Sequence, residues 1–475
     1  MSRTVSKENL SKDDKLRIEK ACAFVIRPNH VYLPGGRKVR PKEKRIVMFE
    51  ECDDSYVVPI QATKWLGFYR FRDELSPRDG YTLNQIVLKN YQEDAIKLCL
   101  KRLGTYNSLL IRFPPGFGKT ITAISLWRYI RNKLVILINR STLLESWKNT
   151  ITLCFGSESN IRVWVVGEET KKEGPDHDAD IIICMAQRVK KIPEEVRKNI
   201  GTLVVDEAHL FCTPSHIGPM LAFSPNFVLF ATATPVKEDG SSRILDYFVD
   251  KKSWLSYVSR RPYIVHAILT GFNLQELCRD EGLSTTFQGK YKSAHKHDPR
   301  NTLIRHLVKT ARSQEKKCMV LTTTHEHAKT MVEKLSDLND CNLAEYYGTI
   351  KGCDNYNVVV GTIPKMGTGY DEATACRQFD GIKSNVLILC TSVKSTNLFE
   401  QLIGRIMRGD APHLVWLIDD DRNPHNHLYE MTQFIKSTNG HIRKHDLDDI
   451  YLDGIDFSES VEYDGAPYEL VSGVV

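Results

Sequence analysis

The segment Phe113-Pro114-Pro115-Gly116-Phe117-Gly118-Lys119-Thr120 limits the possible folds of this chain more than any other. It follows an apolar stretch, Ser108-Leu109-Leu110-Ile111, and precedes an amphipathic one from Ile121 to Ile130. Strand, glycine turn, Gly-Lys-Thr and helix is the order that a phosphate-binding loop requires. Backbone N–H groups of such a turn, and of the helix N-terminus behind it, attract anionic oxygens. Gly116 and Gly118 remove the Cβ atoms that would hold the backbone away from a phosphate. In this arrangement Lys119 reaches the β- and γ-phosphates, and the Thr120 hydroxyl holds Mg²⁺. The strict pattern has glycine where this chain has Phe113, so the loop by itself also fits a structural glycine turn.

At 475 residues the chain has room for two or three domains with full cores. No apolar run approaches the ~18 residues of a membrane span. The first twenty residues are polar and lack the apolar core of a secretory signal. The 12 cysteines are scattered, with no zinc-like spacing, which predicts reduced core thiols in an intracellular protein. A net charge of +6 permits a nucleic-acid partner without requiring one.

Along the chain, residues 1–84 suggest a small β-rich N-terminal accessory module with no recognisable chemistry. Its basic run from Arg37 to Arg45 reads either as a solvated loop or as a phosphate-backbone contact. From residue 85 to 257, short apolar runs alternate with helical periodicity: Leu134 to Ile138, Ile181 to Ile183, Leu203 to Val205, Phe227 to Phe230. Runs this short fit strands buried on both faces of a parallel sheet. Residues 258–296 read as a connecting segment with some helix. The alternation resumes over 297–440 without a second phosphate loop, and 441–475 reads as an acidic, exposed tail. The fold class expected is α/β, with two tandem parallel-sheet domains.

Three patterns carry chemistry. The run Leu203-Val204-Val205 ends in Asp206-Glu207-Ala208-His209, and paired acids at a strand end are where an NTPase needs them. Asp206 is placed to hold Mg²⁺, and Glu207 to orient and deprotonate a water. Thr232 and Thr234 follow the next strand and can relay hydrogen bonds from the acid pair, with His209 as the link. In the second half, Gln401, Gly404, Arg405 and Arg408 recur at helical spacing. Two guanidiniums on one helix can neutralise charge developing on a γ-phosphate. A basic face solvated by water is the alternative.

In their order, these segments resemble the superfamily 2 helicases and translocases. Minor motifs extend the similarity over roughly residues 83 to 430. Leu88-Lys89-Asn90-Tyr91-Gln92 resembles the element whose glutamine reads adenine. Asn139 to Trp147 resembles the strand-exit segment on the nucleic-acid backbone, and Gly367-Thr368-Gly369-Tyr370-Asp371 the element coupling nucleotide to nucleic acid. With Asp298 to Ile304 included, the chain is most similar to the transcript-release DNA helicases of poxviruses and of other large DNA viruses. The resemblance implies two RecA-like domains with ATP and Mg²⁺ between them, and a DEAH-box-type ATPase whose catalytic groups are Lys119, Glu207, Arg405 and Arg408. It further implies nucleotide contacts from Gln92, Gly369, Asp371 and Gln401, and a nucleic-acid partner that is DNA, met through Arg140, Arg188 and Lys365. Transcription machinery is an implied partner, and a membrane is not. A viral source implies virion, virus factory or nucleus. Cys184-Met185-Ala186-Gln187 departs from the family, whose members usually place a threonine there. The rival expectations are a duplex-DNA translocase that remodels complexes without unwinding, and a nucleic-acid-binding protein with an inert NTPase core.

Overall fold

In the computed structural model of the chain, the apolar runs become strands of two parallel sheets. The structure describes residues 1–26, 31–32, 38–39, 42–68, 88–156, 159–169, 174–234, 239–350, 352–367 and 370–471. Two compact units result, one covering Met1–Phe113 and Phe117–Tyr257, the other Val258–Glu469.

The first unit is built on β1 (Ser108–Arg112), β2 (Leu134–Ile138), β3 (Val163–Val165), β4 (Ile181–Met185), β5 (Thr202–Asp206), β6 (Phe227–Thr232) and β7 (Trp254–Ser259). They lie in the order β3-β4-β2-β5-β6-β1-β7, and every neighbouring pair is parallel. All residues of β2 and β5 are buried, as expected of strands covered on both faces. Helices α1 (Asn90–Tyr106), α2 (Lys119–Ile130) and α3 (Thr142–Phe155) pack on this sheet. Register does the positioning. Asp206 stands opposite Ala231, and Ala231 opposite Ile111, so the acid pair and the start of the glycine loop leave the sheet at one level.

The N-terminal residues are β-rich, as expected: Ser2–Ser6 pairs antiparallel with Ser55–Pro59, and Ala23–Ile26 with Lys44–Val47. They are not a separate module, however. Met1, Phe24, Ile46 and Val58 share one core with Leu110, Val135 and Val205. So few short strands cannot bury enough apolar surface by themselves. Arg37, Arg40 and Pro41 of the basic run lie outside the described residues.

The second unit holds β8 (Tyr263–Leu269), β9 (Cys318–Thr322), β10 (Leu343–Tyr346), β11 (Val358–Thr362), β12 (Val386–Leu389), β13 (His413–Ile418) and β14 (Gly440–Asp446). The order is β10-β11-β9-β12-β13-β8-β14, parallel throughout. Two expectations fail here. The stretch 258–296 is not simply a connector, because β8 is an interior strand whose apolar run is broken by His266. The residues from 441 on are not simply an exposed tail, because β14 pairs with β8 and Ile450, Ile455 and Phe457 enter the core beside Leu303 and Leu307. As an edge strand, β14 carries His, Arg and Lys and so hides its period-2 pattern.

The segment from Asp298 opens α4 (Asp298–Ser313), and its Arg300 is fully buried. The guanidinium donates to Asp419 Oδ1 at 2.9 Å and Oδ2 at 3.1 Å, which ties α4 to the end of β13. Among the described residues no helix is long and apolar enough to cross a membrane. All twelve cysteines are free thiols, and ten of them are buried.

Candidate nucleotide-binding site

The glycine loop joins β1 to α2. Gly116 and Gly118 take φ of +86° and +95°, the left-handed region that side chains resist. A Cβ on Gly118 would also meet Gln92 Nε2 at 2.5 Å. Phe113 occupies the departure from the motif. It is fully buried and stacks on Phe117 with ring centroids 3.9 Å apart, and Tyr257 packs against both. The loop is thereby fastened into the core by aromatic contacts. Gln92, in the first turn of α1, donates to Phe117 O at 2.8 Å and accepts from Lys89 N–H at 3.0 Å. Both ends of its amide hold protein, so here it braces the loop and caps its own helix.

The acid pair sits where β5 ends. Asp206 is 4% exposed. Its Oδ1 accepts from Glu207 N–H and its Oδ2 from the Trp147 indole N–H, each at 2.9 Å. Burial, then the neighbouring Glu207 charge, pushes its pKa up to about 6. Glu207 leaves the strand in a left-handed conformation, φ +48°, which costs a side-chain-bearing residue roughly 1–2 kcal/mol. That turn swings its carboxylate to 3.6 Å from Lys119 Nζ and 3.4 Å from His209 Nδ1. His209 Nδ1 lies 2.9 Å from Thr232 Oγ1, which accepts from Thr234 N–H at 3.1 Å. Lys119, Glu207, His209, Thr232 and Thr234 thus form one polar chain above Asp206. Thr120 is the second residue of α2 and half-buried. Its hydroxyl and the Asp206 carboxylate are hard oxygen donors, the set Mg²⁺ prefers beside phosphate oxygens.

In the second unit, α5 (Thr396–Ile406) carries Gln401, buried, and Arg405, with Arg408 just beyond its end. Arg405 donates to Gly367 O at 3.0 Å and to Tyr370 O. Arg408 pairs with Asp371, which also caps the turn at Ala373 N–H. The arginine segment and the Gly367–Asp371 segment are therefore joined within this unit. Gly369 lies outside the described residues.

The nucleic-acid candidates are more committed than expected. Lys365 donates to Gly348 O at 2.6 Å and to Ile350 O, and lies over the Tyr346 ring. It does not stand open to a phosphate. Arg188 donates to Val166 O at 2.9 Å, and Arg140 is half-buried at the exit of β2.

The family model described as type III restriction enzyme, res subunit, matches residues 85–237. A putative helicase of invertebrate iridescent virus 6 is 25% identical over 402 residues, covering 80% of this chain and 84% of that one. The transcript termination protein A18 of camelpox virus is 25% identical over 321 residues, 62% of each chain. These similarities support a helicase of superfamily 2, of the kind found in large DNA viruses. The fold is similar to that of a single-residue variant of S. cerevisiae Dbp5 solved with RNA and ADP BeF3, with a TM-score of 0.54 at 13% identity over 75% of this chain and 90% of that one.

Trp147 is the residue that sequence reasoning did not assign to the candidate site. It was visible only as part of the strand-exit segment, and no spacing rule connects it to Asp206.

Proposed function

We propose that this helicase hydrolyses ATP with Mg²⁺ and moves on DNA, acting in transcript release as a DEAH-box-type enzyme. The observation that carries the reading is the polar chain Lys119–Glu207–His209–Thr232. A base, a phosphate-binding cation and a relay converge on one strand end. Lys119 and Glu207, 18% and 16% exposed, neutralise each other here. When Lys119 turns to the β- and γ-phosphates, Glu207 is released to take a proton from water. Magnesium supplies charge neutralisation across the phosphate oxygens, and Thr120 and Asp206 are the residues that would hold it. His209 fixes the Glu207 carboxylate and links it to Thr232. We assign Arg408 to the γ-phosphate charge and give Arg405 the task of bracing the Gly367–Tyr370 backbone. DNA and transcript release are favoured by the resemblance to the poxvirus branch and by the similarity to a transcript termination protein. The compartment proposed is the virus factory of an infected cell.

The test is phosphate release by the parent and by Glu207→Gln, measured with single-stranded DNA, duplex DNA and RNA. The parent is expected to respond most to DNA, and Glu207→Gln to bind ATP without turnover. Stimulation by RNA alone would remove the DNA assignment, and normal turnover by Glu207→Gln would remove the mechanism. Strand displacement beside triplex displacement separates unwinding from translocation.

A further inference from the structure

The third point of contact on the acid pair comes from a helix with no place in the mechanism above. Trp147 is 1% exposed, and its indole N–H donates to Asp206 Oδ2 at 2.9 Å. A buried indole needs an acceptor, and a backbone carbonyl serves: Trp127 donates to Asn132 O, and Trp416 to Thr391 O. Trp164 donates to a carboxylate close by in the chain, Glu169, whereas Trp147 reaches one 59 residues away in sequence.

The geometry of that carboxylate explains what the contact does. The torsion that turns an Asp carboxylate plane is broad and barely constrained by the residue itself. Two donors fix it here, one on each oxygen. Glu207 N–H is local and comes with the chain. Trp147 belongs to α3, which begins directly after Asn139, Arg140 and Ser141 at the exit of β2. Each oxygen keeps a second lone pair for a cation.

Resting on the hydrolytic reading above, we propose that Trp147 is a positioning residue. Through its indole N–H, helix α3 sets the orientation in which Asp206 receives the magnesium–nucleotide. The strand-exit segment that opens α3 and the carboxylate at the end of β5 are then linked through the Trp147 indole. A shift of α3 turns the carboxylate plane.

The experiment is a double-mutant cycle on the full chain with Trp147→Phe and Asp206→Asn. A fluorescent ADP analogue is titrated once with Mg²⁺ and once with EDTA. Trp147→Phe keeps an aromatic ring and deletes the donor. It is expected to leave affinity in EDTA within about twofold, while the gain in affinity on adding Mg²⁺ shrinks on the order of tenfold, the scale of a lost bond to a charged acceptor. In the Asp206→Asn background the same change is expected to add nothing. A Mg²⁺ gain that is unchanged or larger in Trp147→Phe overturns the proposal, as does an equal loss in both backgrounds. An Asp206→Asn protein that keeps both its Mg²⁺ gain and its hydrolysis overturns the hydrolytic reading as well. Should Trp147→Phe fail to fold, the benzothiophene analogue of tryptophan at position 147 deletes the same N–H with less change of shape.

Discussion

Asp206, the carboxylate proposed to hold Mg²⁺, lowers the stability of the fold at neutral pH, and the direction of the effect follows from its surroundings. Its carboxyl titrates at about 6 rather than at its ordinary 3.8, mainly through burial and then through Glu207. A carboxyl with a raised folded pKa favours folding below its unfolded pKa, and that contribution is lost as pH rises through the folded value. As pH rises from the unfolded value through the folded one and beyond, the group therefore comes to oppose folding, more at pH 8 than at pH 5. A carboxamide does not titrate, so in Asp206→Asn this term vanishes. Relative to the parent, the variant should gain on the order of 1 kcal/mol between pH 5 and pH 8, a few degrees in midpoint for a unit of this size. Calorimetry of both proteins at the two pH values, without Mg²⁺ or nucleotide, measures the gap, and titrations common to both cancel in the difference. Saturating Mg²⁺ and ADP should raise the parent's midpoint far more than the variant's, because the ligand binds the folded carboxylate. A gap that is the same at both pH values would show that burial does not raise the Asp206 pKa, and the electrostatic account of the acid pair would fall.

Lys119→Ala is expected to abolish ATP hydrolysis while the protein stays folded, as read by phosphate release and circular dichroism; near-normal turnover would take the loop out of the mechanism. Arg408→Ala should bind ATP within a few-fold of the parent yet lose roughly 10³-fold or more of its stimulated hydrolysis, with little rescue by lysine, which lacks the planar fork. A third of the parental rate would return Arg408 to the role of surface partner for Asp371. In the second unit, burial, then His413 and His445, pushes the His266 pKa down to about 3. A depressed histidine stabilises above its unfolded pKa of 6.5 and loses that as pH falls toward 3, so the unfolding midpoint should drop from pH 7 to pH 5, and less steeply in His266→Gln.

The grouping of the candidate site's residues was legible in the sequence because polar residue types recur at strand ends. Lys119, Asp206, Glu207, His209, Thr232 and Thr234 follow apolar runs whose burial on both faces leaves the strand's carboxyl end as the place for polar groups. What was not legible depends on contacts between elements distant in sequence. Strand β8 is interrupted by His266, whose ring nitrogens meet His413 and His445 at 3.0 Å across the sheet, so a polar residue there is satisfied only once the strands are paired. Lys365 has the sequence position of a phosphate ligand, yet its ammonium is taken by carbonyls of the Gly348–Ile350 turn. Phe113 shows the same limit from the other side. As a motif position it counts against a phosphate loop. In the fold it stacks on Phe117, which in turn presents its carbonyl to Gln92. The conformation that glycine would permit at that position is replaced by an aromatic anchor, and the left-handed turns fall to Gly116 and Gly118. The loop then keeps the two conformations that phosphate binding requires and gives up only the one that packing can replace.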